Sequence, residues 1–233
     1  MAHSAAISSA ACLGGRRPRA ISAMDYQDVR SMPDQRPVAV VLGGGLARRM
    51  GGGDKALVRL QGRPLLDHVL DRVRPQVRAV ALSANGDPAR FVSWGLAVLA
   101  DPVPGHPGPL AGILAGMRWA SRVHPGASLL LSVPTDTPLL PADLVARLLA
   151  ARVGHSAAIA CAASRGQFHP VVALWPVALA DTLAAALATG VTGVLGFAQA
   201  HGLAVADFPA DRADPFLNVN DRSDLAGAAR LVS

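Results

Sequence analysis

Between Val38 and Asp67 the chain reads VAVVLGGGLARRMGGGDKALVRLQGRPLLD, and the residue types here suit phosphate chemistry. Gly43 to Gly45 and Gly51 to Gly53 offer backbone N–H groups with no side chain in the way, so phosphate oxygens can approach closely. Arg48, Arg49 and Lys55 add the positive charge that a polyphosphate needs. Lys55 is the single lysine among 22 basic residues, and all 16 acidic residues are aspartate. A compact ammonium suits a terminal phosphate better than a guanidinium fork does. From composition alone, an accident of residue usage accounts for the lone lysine equally well.

Two aspartates extend this chemistry. Asp101 and Asp136 each follow an apolar run, and Asp136 is stiffened by Pro134 and Pro138. Carboxylates on the rim of a phosphate-binding sheet suggest Mg²⁺, a hard cation that takes oxygen ligands and bridges substrate phosphates. The glycine loop and Lys55 would hold the β and γ phosphates while a phosphate or hydroxyl attacks the α phosphorus in line and pyrophosphate leaves. Such a transfer needs positioning and charge stabilisation more than a dedicated base, which suits a chain without glutamate. His169 precedes Pro170, so its backbone is expected to be extended. It could line an acceptor pocket, and a partly buried polar residue at a strand start is an equal reading.

Other chemistries fit poorly. Cys12 and Cys161 form no C-x-x-C pair, so neither zinc nor dithiol redox work is suggested; Cys161 reads as a small core residue in a reducing compartment. No apolar run reaches the length of a membrane span. The net charge of +6 comes from scattered arginines, with a single tyrosine and no aromatic–basic alternation. That favours an anionic small substrate over nucleic acid.

The elements that must position these residues alternate along the chain. Val38 to Leu42 predicts a buried strand. Pro64 opens a helix with its apolar face on Leu65, Leu66, Val69, Leu70 and Val73. Strands are expected over Arg78 to Ala84, Leu96 to Ala100 and Ser128 to Val133, with the His106 to Gly112 stretch and then a helix to about Arg122 between the last two. Beyond them come a helix over Pro141 to Arg152, strands over Ala157 to Ala162 and His169 to Leu174, a helical stripe of Leu179, Leu183 and Leu187, and a helix over Thr192 to His201. A strand over Leu203 to Phe208, an extended Phe216 to Asn220 and a last helix capped by Asn220 or Asp221 complete the order. Strand–loop–helix repetition predicts an α/β fold, a Rossmann-like, mostly parallel sheet with helices on both faces. Ligands of such sheets bind beyond the carboxyl ends of the strands, which puts Gly43 to Gly45, Ser83 to Asn85, Asp101 and Asp136 on one rim. Residues 1–36 read as a disordered N-terminal extension, with Met24 and Met32 as alternative translation starts, and 37–233 as one domain.

The glycine stretch is neither a P-loop, since Ala56 follows Lys55, nor a dinucleotide fingerprint, since Arg48 occupies the third glycine position. It resembles the nucleotidyltransferase signature L-x-G-G-x-x-x-R-M-G-G-x-D-K, with Leu42, Gly44, Gly45, Arg49, Met50, Gly51, Gly52, Asp54 and Lys55 in order. With SAN at 83–85, ADPVPGHPGPLAG at 100–112, PTDTPLLPADL at 134–144, HPVVAL at 169–174 and FLNVN at 216–220, the chain is similar over about residues 38–231 to the molybdenum cofactor guanylyltransferases of the MobA type.

The resemblance implies a nucleotide-diphospho-sugar-transferase-like fold and transfer of GMP from GTP to the terminal phosphate of molybdopterin, with release of pyrophosphate. It implies Leu42, Gly43 and Gly44 against the guanine nucleotide, Lys55 on its phosphates, and Asn85, Asp101 and the Pro109 to Gly112 turn in the nucleotide pocket. Asp136 would hold Mg²⁺, and His169, Asn218 and Asn220 would face the pterin. It further implies a cytoplasmic, monomeric enzyme that hands its product to molybdoenzymes or their chaperones, with no nucleic-acid or membrane partner. Two departures stand out. The family commonly has Leu-Ala-Gly-Gly where this chain has Leu42-Gly43-Gly44-Gly45, and Asn-Ala-Asn where it has Ser83-Ala84-Asn85. The alternatives are a cytidylyl- or sugar-phosphate nucleotidyltransferase, and a non-catalytic nucleotide-binding adaptor that delivers cofactor.

Overall fold

The computed structural model describes residues 36–43, 52–103, 108–211 and 213–232. The extension expected over 1–36 lies outside them except for Arg36, as do Gly44, Gly45, Arg48, Arg49, Gly51 and His106. The strands are β1 (Val38–Leu42), β2 (Arg59–Leu60), β3 (Arg63–Pro64), β4 (Val80–Ser83), β5 (Ala97–Leu99), β6 (Leu129–Pro134), β7 (Ile159–Ser164), β8 (Gln167–Pro176) and β9 (Leu203–Asp207). The α-helices are α1 (Leu65–Val73), α2 (Pro109–Val123), α3 (Leu144–Gly154), α4 (Ala180–Ala188), α5 (Val194–Ala200) and α6 (Arg222–Ala229).

The described residues form a seven-stranded sheet in the order β5-β4-β1-β6-β8-β7-β9, and β2 pairs with β3 in a small hairpin. Within the large sheet β8 runs antiparallel to both β6 and β7, and the other pairs are parallel. The mostly parallel sheet therefore matches expectation, and the reversal at β8 was not foreseen. Its cause is the Arg165-Gly166 turn, with φ of +49° and +74°. Positive φ at both central residues fits a tight hairpin, whereas a parallel return needs a long crossover. Gln61 (φ +49°) and Gly62 (φ +80°) turn β2 into β3 in the same way, so Pro64 ends a hairpin before the helix begins. The helix expected from Pro141 begins at Leu144, and the Pro141 carbonyl instead accepts from Gln76 Nε2 at 2.9 Å.

Both faces of the sheet are covered. Successive residues of β1 alternate sides: Ala39 and Val41 join α1 and α3 in one core, and Val38, Val40 and Leu42 join α2, α4 and α5 in the other. Aromatics are scarce, so close approach does much of the packing. A Cβ on Gly116 of α2 would lie 2.8 Å from Val40 Cβ, and one on Gly112 would lie 2.6 Å from Leu42 Cδ2. These two glycines, one helical turn apart, let α2 sit directly on β1 and bring its N-terminus to the strand ends. Cys161 is buried in the same core, and burial pushes its thiol up to about 11. A third cluster joins Leu60 and Leu65 to Val219 and Ala228, which anchors α6 and the segment before it beside the β2–β3 hairpin. Among the described residues no helix is long and apolar enough to cross a membrane.

Candidate active site

The carboxyl ends of β5, β4, β1 and β6 meet the start of β8 along one rim. At about 4.8 Å per strand, these five neighbours span roughly 19 Å. The rim carries a cleft of about 540 Å³, lined by residues that include Leu42, Ser83, Asn85, Asp101, Asp136 and His169. The rim expected from strand ends is therefore formed as far as the described residues reach.

Its centre is built on β1 and β6. The Leu42 carbonyl accepts from Thr135 N at 3.2 Å and from Thr135 Oγ1 at 3.3 Å, which ties the two strand exits together. Thr135 and Thr137 are buried on either side of Asp136, and Val219 N donates to the Asp136 carbonyl at 2.8 Å. That bond brings the Asn218-Val219-Asn220 segment to the strand end. Lys55, from a single turn of 3₁₀ helix after the glycine loop, donates to Asp136 Oδ2 at 2.6 Å and to Asn220 Oδ1 at 2.5 Å. Three segments far apart in sequence thus converge on one ammonium. Of the two asparagines expected on the pterin side, Asn220 accepts from Lys55 and Asn218 lines the cleft. The cap of α6 is Asp221, in a reciprocal capping box with Asp224, which leaves Asn220 free for Lys55.

The β4–β5 end holds a second constellation. Asn85 Nδ2 donates to Asp101 Oδ2 at 2.6 Å, and Asn85 Oδ1 accepts from Asp101 N at 2.9 Å. Arg90 reaches from a 3₁₀ segment, Pro88–Trp94, to the Asn85 carbonyl and pairs through Nε with Asp54 Oδ2 at 2.7 Å. Asp54 is the neighbour of Lys55, so a chain of contacts links the end of the glycine loop to the Asn85–Asp101 pair. Gly43 N donates to the Ser83 carbonyl at 2.8 Å, and a Cβ on Gly43 would meet that oxygen at 3.1 Å and Leu82 Cδ1 at 3.0 Å. Ser83 itself packs under Gly112, whose Cβ would lie 2.7 Å from its Oγ.

At the β8 end, His169 lies against Phe216, with ring centres 4.6 Å apart. Its Nε2 is 2.7 Å from Ser164 Oγ, which donates to Asp214 Oδ1 at 2.8 Å. Burial pulls the imidazole below its ordinary 6.5, and the Asp214 charge opposes this in part.

Each of the two rim carboxylates has a side-chain partner, Asn85 on Asp101 and Lys55 on Asp136. Among the described residues no group of three His, Cys or Asp could hold a metal ion. Asp136 Oδ1, however, is buried and has no hydrogen-bond partner among the described residues. A buried, unpaired carboxylate oxygen is costly, and such an oxygen on a residue that lines the cleft fits Mg²⁺, which takes one or two carboxylates and fills its shell from substrate and water.

Sequence reasoning missed Arg90, Ser164, Asp214 and Phe216. Asp54 was visible in the signature but without a partner. No spacing rule joins residues 164, 169 and 214, and Arg90 sat between two expected strands in a stretch assigned no element.

Comparison with known proteins places the chain in a family. The family described as MobA-like NTP transferase domain matches residues 39–203. A molybdenum cofactor guanylyltransferase of Rhodopseudomonas palustris (strain HaA2) is 53% identical over 205 residues, covering 87% of this chain and 96% of that one. Its counterpart in Cereibacter sphaeroides is 51% identical over 198 residues, covering 84% and 97%. The crystal structure of molybdopterin-guanine dinucleotide biosynthesis protein A from Archaeoglobus fulgidus superposes with a TM-score of 0.64 at 21% identity, over 84% of this chain and 98% of that one. That likeness and the sheet order agree on the nucleotide-diphospho-sugar transferase fold. On the matched residues and on these identities, the chain belongs to the MobA-like NTP transferase family.

Proposed function

We propose that this protein transfers GMP from GTP to the terminal phosphate of the molybdopterin cofactor. A phosphate oxygen of the acceptor attacks the α phosphorus, the bond to the bridging oxygen breaks, and pyrophosphate leaves with that oxygen. The observation that carries this reading is the convergence of Lys55 and Asn220 behind Asp136, which lines a cleft together with the Asn85–Asp101 pair and His169. The names of the Rhodopseudomonas and Cereibacter relatives support the choice of guanine and of the acceptor.

Each residue has a physical task in this reading. Leu42 and Gly43 stand at the mouth of β1, where Gly43 has no side chain to block the nucleotide, and Gly44 follows in the sequence. Asn85 is held by Asp101 and Arg90, so its contact with the nucleotide needs little reordering when substrate binds. Lys55 places a positive charge where negative charge grows on the phosphates. Asp136 Oδ1 and phosphate oxygens would hold Mg²⁺, which would supply further charge neutralisation at the transferred phosphorus. His169 and Asn218 face the acceptor.

The test is nucleotide selectivity. With Mg²⁺ and Mo-molybdopterin, pyrophosphate release is expected with GTP and not with CTP or ATP. Release with CTP would move the chain to the cytidylyl branch and make the Gly43 departure significant. GTP binding without release under any condition would replace the enzyme with an adaptor.

A further inference from the structure

Ser164, His169 and Asp214 come from the end of β7, the start of β8 and the loop ahead of Phe216. They look like the parts of a hydrolytic triad, but the order is different. In a triad the histidine stands between the hydroxyl and the carboxylate. Here the hydroxyl stands between the other two. Ser164 is fully buried, with its Oγ 2.8 Å from Asp214 Oδ1 and 2.7 Å from His169 Nε2.

Proton counting decides what this order means. A hydroxyl has one proton to donate, and a carboxylate can only accept. Ser164 gives its proton to Asp214. The 2.7 Å contact with His169 must then be filled by a proton on Nε2, with the serine oxygen accepting. The hydroxyl is therefore not activated as a nucleophile. What is set instead is the tautomer of the histidine: Nε2 carries the proton and Nδ1 keeps a lone pair.

The surroundings hold the ring in that state. Phe216 lies against it at 4.6 Å, and Phe216 N donates to the same Asp214 Oδ1 at 2.9 Å. One carboxylate oxygen thus fixes both the hydroxyl that orients the imidazole and the backbone of the ring that packs on it. Phe208 meets Phe216 edge-on at 5.1 Å and backs the stack. Nδ1 has no hydrogen-bond partner among the described residues, and His169 lines the cleft.

We infer that Ser164 and Asp214 are positioning residues that lock His169 in its Nε2–H tautomer, so that Nδ1 accepts a hydrogen bond from a ring N–H of the acceptor substrate. A lone pair repels a phosphate oxygen and attracts an N–H. The residue therefore selects a planar heterocycle with an N–H donor and turns the acceptor's phosphate towards Lys55. This rests on the acceptor side assigned under the proposed function.

The experiment uses the full chain and reads the tautomer and binding separately from turnover. Nitrogen-15 spectra of the histidine rings should show His169, assigned by its loss in His169→Gln, with a protonated Nε2 and a bare Nδ1. Asp214→Ala frees the serine proton to turn towards Nε2, so the spectrum should move towards the Nδ1–H form. Asp214→Asn retains an oxygen acceptor and should keep the wild-type pattern, which guards against a variant that simply folds badly. Free pterin, followed by its own fluorescence, should bind Ser164→Ala and Asp214→Ala about tenfold more weakly than the wild type, with GTP binding unchanged within twofold. A wild-type Nδ1–H tautomer, or equal pterin binding in the wild type, Ser164→Ala and Asp214→Ala, would overturn the inference. Loss of GMP transfer in the wild type would instead count against the proposed function, leaving the tautomer and pterin readings to stand or fall on their own.

Discussion

Lys55 Nζ lies 2.6 Å from Asp136 Oδ2, and the two side chains are only 13% and 18% exposed. The one lysine of the chain is thus held by a carboxylate of the cleft whose second oxygen is buried and unpaired among the described residues. A pair so enclosed is neither an ordinary surface contact nor a dry core pair. On the proposed reading, its ammonium would exchange one anionic partner for another when phosphates bind.

Removing either partner should therefore stop transfer for different reasons. Lys55→Met should lower kcat by about 10²–10³, the scale of a lost charge-stabilising donor. Lys55→Arg should not restore it, since a planar fork cannot replace a point charge seated between Asp136 Oδ2 and Asn220 Oδ1. Asp136→Asn should abolish turnover while calorimetry still detects weak GTP binding. Full activity of Asp136→Asn would remove Asp136 as the cation ligand.

Arg90 should behave differently. Its pair with Asp54 is 30% and 20% exposed, so its loss should cost less than about 1 kcal/mol of stability. It also braces the Asn85 carbonyl, and Asn85 is one half of the pair with Asp101. Arg90→Ala should raise KM for GTP about fivefold to tenfold with kcat nearly unchanged, measured by initial rates at saturating acceptor. A change in kcat with KM intact would place Arg90 on the phosphates instead of at the Asn85–Asp101 end.

How much of this was legible depends on the range of the interaction. β1, Lys55 and Asp136 were readable because an apolar run, a glycine cluster and a proline-flanked aspartate are local signals. The reversal at β8 was not, because it turns on two residues, Arg165 and Gly166, and arginine gives little warning of a positive φ. The Asn85–Asp101 pair was half legible: both residues were placed on the rim by strand ends, but their mutual bonds depend on the β4–β5 register. Ser164 and Asp214 are 50 residues apart and were invisible. The contact of Asn220 with Lys55 was not legible, because the sequence does not reveal that the Leu60, Leu65, Val219 and Ala228 cluster anchors the neighbouring segment beside the β2–β3 hairpin.

The glycines of α2 give a test of packing against propensity. Alanine is the better helix former by about 1 kcal/mol. Yet a Cβ at Gly116 would lie 2.8 and 2.9 Å from Val40 atoms and 3.0 Å from Leu130 Cδ2, all in the core. Overpacking of this kind costs about 1–3 kcal/mol, so Gly116→Ala should lower the midpoint of urea unfolding. Gly112→Ala should cost stability too, and it should also weaken GTP binding, since it would press on Leu42 and Ser83 in the cleft wall. A stabilised Gly116→Ala would mean that α2 can ride outwards on the sheet.

The last prediction concerns pH. Burial pulls His169 below its ordinary 6.5 in the folded chain, so the unfolded chain binds that proton first as pH falls. The unfolded state then holds more protons, and stability must drop with falling pH from the unfolded value down to the folded one. Above about 6.5 the group is neutral in both states and contributes no slope. Asp214 works against the shift, so Asp214→Ala should drive the folded value lower and deepen the acid loss. Thermal midpoints of the wild type, His169→Gln and Asp214→Ala between pH 5 and 8 would separate these contributions from those of other groups. The gap between wild type and His169→Gln should be constant at the alkaline end and move against the wild type towards acid. A gap that moves in favour of the wild type would mean that the Asp214 charge outweighs burial, and that His169 is cationic when the acceptor arrives.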